Sequence, residues 1–466
     1  MTKYLLLALA ALLISACNSL SASNPTSPTT PTTTPPAGSV QLASGTWTPS
    51  GAVRVAQISN GPWTLAQGAA TLAAPLSGYC MGGQLSVNTA LHPMQPYYFP
   101  FIQGQGQNLT GYFDYRVKDQ DEAVIHAASS DGGLTWTADA SKLRLHAGQC
   151  PADSATPLGD DDGQGHPVVL KINAASGPRT YLYTLDRQSS VVDTGGLLVH
   201  DVVSGAASLP DSQPVSDAAP VPAGLQQTSG LQNPDGILGA VPGTGLSAAD
   251  PLKVMYLKKL KGSAAAPAAG LNPASLCTDA QSKTLAGKKA NHDRTELRLA
   301  STSDGLTFTD LGAVNGLNNP DDNATDGFRF VGPRGTLLRY QDGSYGLFFS
   351  GGNCQDGDSD AYHFIGYAHS KDAVSWTVDQ GAQNPLVQVD YSYPAASPAA
   401  NYSGRVYAPN VIAKEDGSAR LIFSGYRTGS PIAKTGASNA IGTPAVTFQP
   451  TDSANYRSIL VVDLKH

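Results

Sequence analysis

Glutamate is almost missing from this chain: among 466 residues only Glu122, Glu296 and Glu415 carry it. Charged residues make up 14% of the sequence, against about a quarter in ordinary globular proteins. The formal net charge is −7 and there is no run of Lys or Arg. This excludes the basic stripe with which a protein binds nucleic acid. Cysteine occurs five times and never as CxxC, which argues against structural zinc. Past residue 17 no apolar stretch is long enough to cross a bilayer.

What the chain does have is 49 Gly, 33 Pro, 19 Tyr and abundant Thr and Val, the composition of an extracellular all-β protein. Its first residues fall outside any fold. Lys3 is followed by the apolar run Leu5 to Ile14 and the small residues Ser15-Ala16 before Cys17, a secretory signal too short for a mature membrane helix. Ile14-Ser15-Ala16-Cys17 resembles a bacterial lipobox. That resemblance implies removal of residues 1–16, diacylation of Cys17, and a membrane contact made through the lipid alone. An ordinary signal with an incidental cysteine is the alternative. Asn18 after the cysteine, in place of Asp, is similar to the outer-membrane sorting signal of enteric bacteria. The expected location is therefore the bacterial cell envelope, as an outer-membrane lipoprotein facing the periplasm or the surface.

Residues 17–40 read as the lipidated cysteine and a Ser/Thr/Pro stalk, TSPTTPTTTPPAG at its centre. Such a segment has too little apolar surface to offset its ordering entropy, and disorder is expected. Beyond Cys17, the cysteines Cys80, Cys150, Cys277 and Cys354 form an even set allowing three pairings in an oxidising compartment. Cys277 and Cys354 each follow the second strand of a repeat unit, so neighbouring units would bring them together and leave Cys80 for Cys150.

Residues 41–466 carry a repeat. SSDGGLTWT from Ser129, TSDGLTFTD from Thr302 and HSKDAVSWTV from His369 each read as strand, tight turn and strand. Upstream lie aromatic strands beginning at Leu109, Thr180, Lys253, Ser344 and Arg420, and before these a proline at each strand start: His92-Pro93, His166-Pro167, Asn233-Pro234, Gly332-Pro333 and Ala408-Pro409. Third strands follow in every unit. The chain reaches His466 after the last of them, and GTWTPSG at Gly45 to Gly51, similar to the other fourth strands, is expected to complete that sheet and cover its edge. The fold predicted is all-β: one five-bladed β-propeller of four-stranded antiparallel blades, expected to be monomeric.

These blades resemble the five-bladed propeller glycosidases of the arabinanase, xylosidase and fructosidase type, best in blade 4 from Val331-Gly332-Pro333-Arg334 through FIGYAHSKDAVSWT. Ser129 to Trp136 is similar to a sialidase-type Asp box. The Asp boxes are expected to be structural, with Asp131, Asp304 and Asp372 holding turn backbone and the aromatic packing between blades. Function is expected at the opposite face, where the inner strands begin and converge on a funnel.

The family resemblance implies acidic residues at inner-strand starts, since hydrolysis needs two carboxyl groups across the glycosidic bond. Blade 1 offers His92 and Gln95, blade 2 Asp161, Asp162 and His166, and blade 3 Asn233 and Asp235. Blade 4 has Val331 where the family often has Glu, with Asp326, Arg329 and Arg334 nearby; blade 5 offers Asn410. Asp235 and Asp162 are the candidate acid and base, although each also reads as a turn aspartate in its NPDG or DDDGQGHP setting. His92, His166, Asn233, Arg334 and Asn410 are candidate substrate contacts. Asp356, Asp358 and Asp360 alternate in one loop and could present oxygens to Ca²⁺ or form an acidic solvated loop; no other cofactor is expected. Two readings follow: a lipid-anchored glycoside hydrolase acting on a saccharide in the funnel, or a non-catalytic propeller binding a glycan or envelope protein.

Overall fold

A computed structural model describes residues 42–59, 63–66, 69–72, 85–86, 97–115, 123–138, 164–186, 197–201, 226–259, 295–318, 334–351, 364–381, 384–388, 405–426, 432–438, 444–447 and 457–466. The chain divides into Met1–Ser39, none of which is described, and a compact unit Val40–His466. Among the described residues all regular structure is β-strand, and five four-stranded antiparallel sheets form a five-bladed propeller. From the axis outward, blade 1 is Tyr97–Gln105, Asn108–Tyr115, Ala123–Ser129 and Thr135–Ala138; blade 2 is Gln164–Ala174, Gly177–Asp186, Leu198–Asp201 and Gln226–Gln227. Blade 3 is Pro234–Ala240, Leu252–Lys259, Thr295–Thr302 and Thr309–Ala313, and blade 4 is Gly335–Arg339, Tyr345–Gly351, Phe364–Ser370 and Trp376–Gln380. Blade 5 takes Arg405–Ala413, Ala419–Tyr426 and Arg457–Lys465 from the end of the chain and Thr48–Val55 from its beginning. Each inner strand packs against those of both neighbours, and blade 5 meets blade 1 to close the ring.

The expected closure is present: Thr48 pairs with Lys465 and Val55 with Leu460, antiparallel. Trp47 just before it is buried, its N–H donating to Gln380 Oε1 (3.1 Å) and its carbonyl accepting from Gln380 Nε2 (3.0 Å). Continuous apolar runs such as Val168–Leu170, Val254–Leu257 and Leu347–Phe349 are buried along their whole length; they give each blade two apolar faces, and the cores lie between blades. Tyr183 of blade 2 packs with Ile237 and Phe308 of blade 3, Leu299 of blade 3 with Trp376 of blade 4, and Phe348 of blade 4 with Leu421 of blade 5 in three such clusters. Among the described residues the cluster between blades 1 and 2 is Tyr112, Val124, Val169 and Leu182.

The three Ser/Thr-Asp turns are closed by their own side chains. In the first, Asp131 Oδ1 accepts the N–H groups of Leu134 (3.0 Å) and Thr135 (2.9 Å), its Oδ2 accepts the Thr135 hydroxyl (2.6 Å), and Ser129 Oγ accepts the N–H of Gly133 (2.8 Å). Asp304 and Asp372 repeat the scheme with Leu306 and Thr307, and with Val374 and Ser375. The chain leaving one blade then runs parallel to the next blade's turn. Ser229 bridges Thr307, Asn315 bridges Ser375, and Gln57–Ser59 pairs with Thr135–Thr137. Gly230 and Gly316 are required there: a Cβ would stand 1.8 Å from the Phe308 carbonyl oxygen and 2.0 Å from that of Trp376.

The long segment from Arg427 to Tyr456 contains a hairpin, Ile432–Ser438 with Pro444–Thr447. Cys17, the four other cysteines, the stretch from Gly262 to His292 and the aspartates Asp356, Asp358 and Asp360 lie outside the described residues.

Candidate functional site

Among the described residues four inner strands bend as they start, and the bend has one cause. Phe99, His166, Asn233 and Ala408 all have left-handed backbones, with φ of 43°, 56°, 42° and 56°, and each precedes a proline. The pairing register skips at the same places, between Tyr98 and Phe101, Gly165 and Val168, Pro234 and Gly236, and Tyr407 and Asn410. These are β-bulges, in which a proline forfeits no ladder hydrogen bond and the following side chains are re-aimed. A left-handed Phe, His or Ala costs on the order of 1–2 kcal/mol, so surrounding structure must hold it. Side chains on the second strand of the preceding blade do so: Ser424 Oγ accepts the N–H of Phe99 (2.9 Å), Asp114 Oδ2 that of His166 (2.8 Å) and Ser350 Oγ that of Ala408 (2.8 Å).

In blade 1 the bulged X-Pro pair is therefore Phe99-Pro100, while His92 lies outside the described residues with Asp161 and Asp162. With Phe99 in that place, the steps from Phe99 to His166 and from His166 to Asn233 are both 67 residues.

The inner-strand starts of blades 2 to 4, with Asp114 of blade 1, bring four polar side chains into one buried group. His166 Nδ1 lies 3.2 Å from the Asp235 carbonyl oxygen, which assigns the proton to Nδ1, and its ring stacks tilted on Phe99 with centroids 4.3 Å apart. Asp235 and Asp114 both act electrostatically on Arg334, whose Nη1 donates to the Ile237 carbonyl at 2.6 Å. Burial pushes the Arg334 guanidinium down to about 9, against the pull of those two carboxylates; it stays protonated at neutral pH. Arg334 is 1% exposed and Asp114 0%, while Asp235 at 9% is the more accessible carboxylate. A carboxylate pair sharing a guanidinium beneath a histidine gives this spot a fixed charge pattern in a medium where charge acts strongly.

Of the residues expected to touch a ligand, His166, Asn233, Asp235 and Arg334 are thus assembled on adjacent blades. Asn410 sits on the far side of the ring, where its Nδ2 donates to the Pro100 (2.7 Å) and Ala408 (3.0 Å) carbonyls and its Oδ1 accepts the Ile102 N–H (3.0 Å). Both amide hydrogens are engaged, and the residue ties blade 5 to blade 1. Asp114 was not anticipated. Its signal in the sequence is a lone acid amid the aromatics of GYFDY, a position that demands a partner.

Arrangement and register place this group at the end of the propeller opposite the Asp turns, since Asp114 pairs beside Val124 and Tyr98 whereas Ser129 pairs with Leu109 at the other end. No protein-family model matches the chain, and no curated protein matches it. Similar solved structures include an N-acetylgalactosamine deacetylase from F. plautii in complex with blood group B trisaccharide, at 12% identity over 87% of this chain and 96% of that one, TM-score 0.44. A GH43_1 enzyme from Xanthomonas citri complexed with xylose is 12% identical over 81% of this chain and 88% of that one, TM-score 0.39. An alpha-L-arabinofuranosidase from Podospora anserina in complex with cellotriose is 9% identical over 84% and 95%, TM-score 0.43.

Proposed function

We propose that the protein is a lipid-anchored, monomeric glycoside hydrolase of the bacterial envelope that takes a saccharide in the propeller funnel. The observation that supports this is the buried group at the inner-strand starts, in which Asp235 is more exposed than Asp114 and both carboxylates act on Arg334. In this reading Asp235 activates water or attacks the anomeric carbon. Asp162, one blade away by repeat position, protonates the departing oxygen, because the bond cannot break without both functions. His166 and Asn233 bind sugar hydroxyls, and Ca²⁺ at Asp356, Asp358 and Asp360 would brace a rim loop.

The test is incubation with a panel of polysaccharides and aryl glycosides, with product detection. Hydrolysis of at least one substrate is expected, with Asp235→Asn and Asp162→Asn each reducing turnover by a factor of about 10² or more; the melting temperature should stay near wild type in Asp162→Asn and fall in Asp235→Asn, which strips a counter-charge from Arg334. A second reading, a propeller that binds a glycan or envelope protein without cleaving it, is favoured by the absence of glutamate from every inner-strand start. Saccharide binding without product from any substrate would establish it.

A further inference from the structure

A hollow of about 700 Å³ opens on blade 1 toward blade 2, at the end that carries the Asp turns and away from the funnel. Its origin is visible by comparison with blade 5. Asp114 and Ser424 occupy corresponding places, each on a second strand and each accepting a pre-proline N–H of the next blade. Four residues earlier on those strands stand Thr110 and Arg420, which therefore face the next blade as well. Arg420 fills that space: its Nε donates to Asp463 Oδ1 (2.8 Å), opposite it in register, and its Nη1 reaches the carbonyls of Asp131 (3.1 Å) and Gly132 (2.9 Å) in blade 1. In blade 1 the corresponding pair is Thr110 opposite Ala128. Two short side chains stand where blade 5 has its clasp, and both line the hollow.

The surface so exposed has a definite chemistry. Gln103, Thr110, Ala128 and Thr137 stand in one cross-strand row, each opposite the next. Strands lie about 4.8 Å apart, so the row offers amide and hydroxyl groups at a repeat on the order of one sugar unit. Asn108 adds a second amide, and the exposed Lys171 of blade 2 supplies a positive charge at the axial end. No Asp or Glu is among the described residues that line the hollow.

We propose that this hollow is a second binding site, independent of the funnel, for an acidic oligosaccharide. Lys171 pairs with a carboxylate of the ligand, and Gln103, Asn108, Thr110 and Thr137 hydrogen-bond its hydroxyls. The site holds the polymer while the funnel remains open.

Calorimetric titration of the processed full-length protein in detergent tests this, with trigalacturonate and its methyl ester as probes. Trigalacturonate is expected to bind, and the neutral ester to bind at least about tenfold more weakly, as lost charge pairing requires. Thr110→Arg with Ala128→Asp transplants the blade 5 clasp and is expected to abolish binding without lowering the melting temperature. Lys171→Glu, on an exposed side chain, is expected to abolish it too, which keeps the test decisive if the double variant fails to fold. Asp235→Asn is expected to leave it unchanged. No binding by the wild type, equal binding of acid and ester, retention in Lys171→Glu, or loss in Asp235→Asn would each overturn the proposal; a peptide or other polymer would then be the occupant to seek.

Discussion

The Asp114 carboxylate in blade 1 accepts the backbone N–H of His166 in blade 2 at 2.8 Å. One buried acid thereby holds a left-handed residue of the neighbouring blade and supplies one of the two negative charges that act on Arg334. Packing, backbone conformation and electrostatics meet at this contact, so removing it should disturb all three.

Asp114→Ala is expected to destabilise the protein by about 3–5 kcal/mol, since it strips a counter-charge from a buried guanidinium and leaves a buried N–H without its acceptor. Asp114→Asn keeps an acceptor oxygen and should cost less. Denaturant unfolding of the two variants measures the difference. Equal stability of Asp114→Ala and wild type would show that the buried charge group contributes little.

Acid stability should depend on the Asp turns. Burial pushes Asp131 up, but hydrogen bonds from Thr135, Ser129 and Leu134 outweigh it and hold the carboxyl below 3.8. N–H groups of Ser375 and Val374 hold Asp372 below that value as well. A folded-state pKa lower than the unfolded one stabilises the native state above the unfolded pKa, and the contribution is lost as pH falls through the folded one. Unfolding monitored from pH 7 downward should therefore show the wild type losing stability below pH about 4. Asp131→Asn should be less stable at pH 7 and lose less on acidification.

Closure of the ring makes a third expectation. Trp47 is 1% exposed, and Trp47→Ala should cost about 3–5 kcal/mol through the cavity it leaves. Deleting residues 41–55 should lower the melting temperature further, because the edge of Arg457–Lys465 would then lose its partner. An unchanged melting curve would mean that the outer strand of blade 5 contributes nothing to stability.

The proposed envelope anchor is tested separately. Metabolic labelling with a fatty-acid analogue should mark the wild type and not Cys17→Ala, and only the wild type should sediment with membranes. Non-reducing peptide mapping should link Cys277 to Cys354 and Cys80 to Cys150, a pairing that free thiols at Cys277 and Cys354 would exclude.

Alternating aromatic and β-branched residues, punctuated by Ser-x-Asp turns, determined the strands, the number of blades and the outer strand that begins just after Trp47. Those features are local: a period of two residues decides which side chains face the cores between blades, and turn chemistry decides where strands reverse. The charged group at the funnel was beyond such reading. Asp114 and His166 are 52 residues apart and meet only because a bulge shifts the register beside Val168 and because blade 2 packs against blade 1. Blade 1 shows the same limit, since His92-Pro93 and Phe99-Pro100 look alike as sequence and only Phe99 lies at the bulge. Whether Thr110 leaves a hollow that Arg420 fills likewise depends on the blade opposite, a neighbour that ring closure alone supplies.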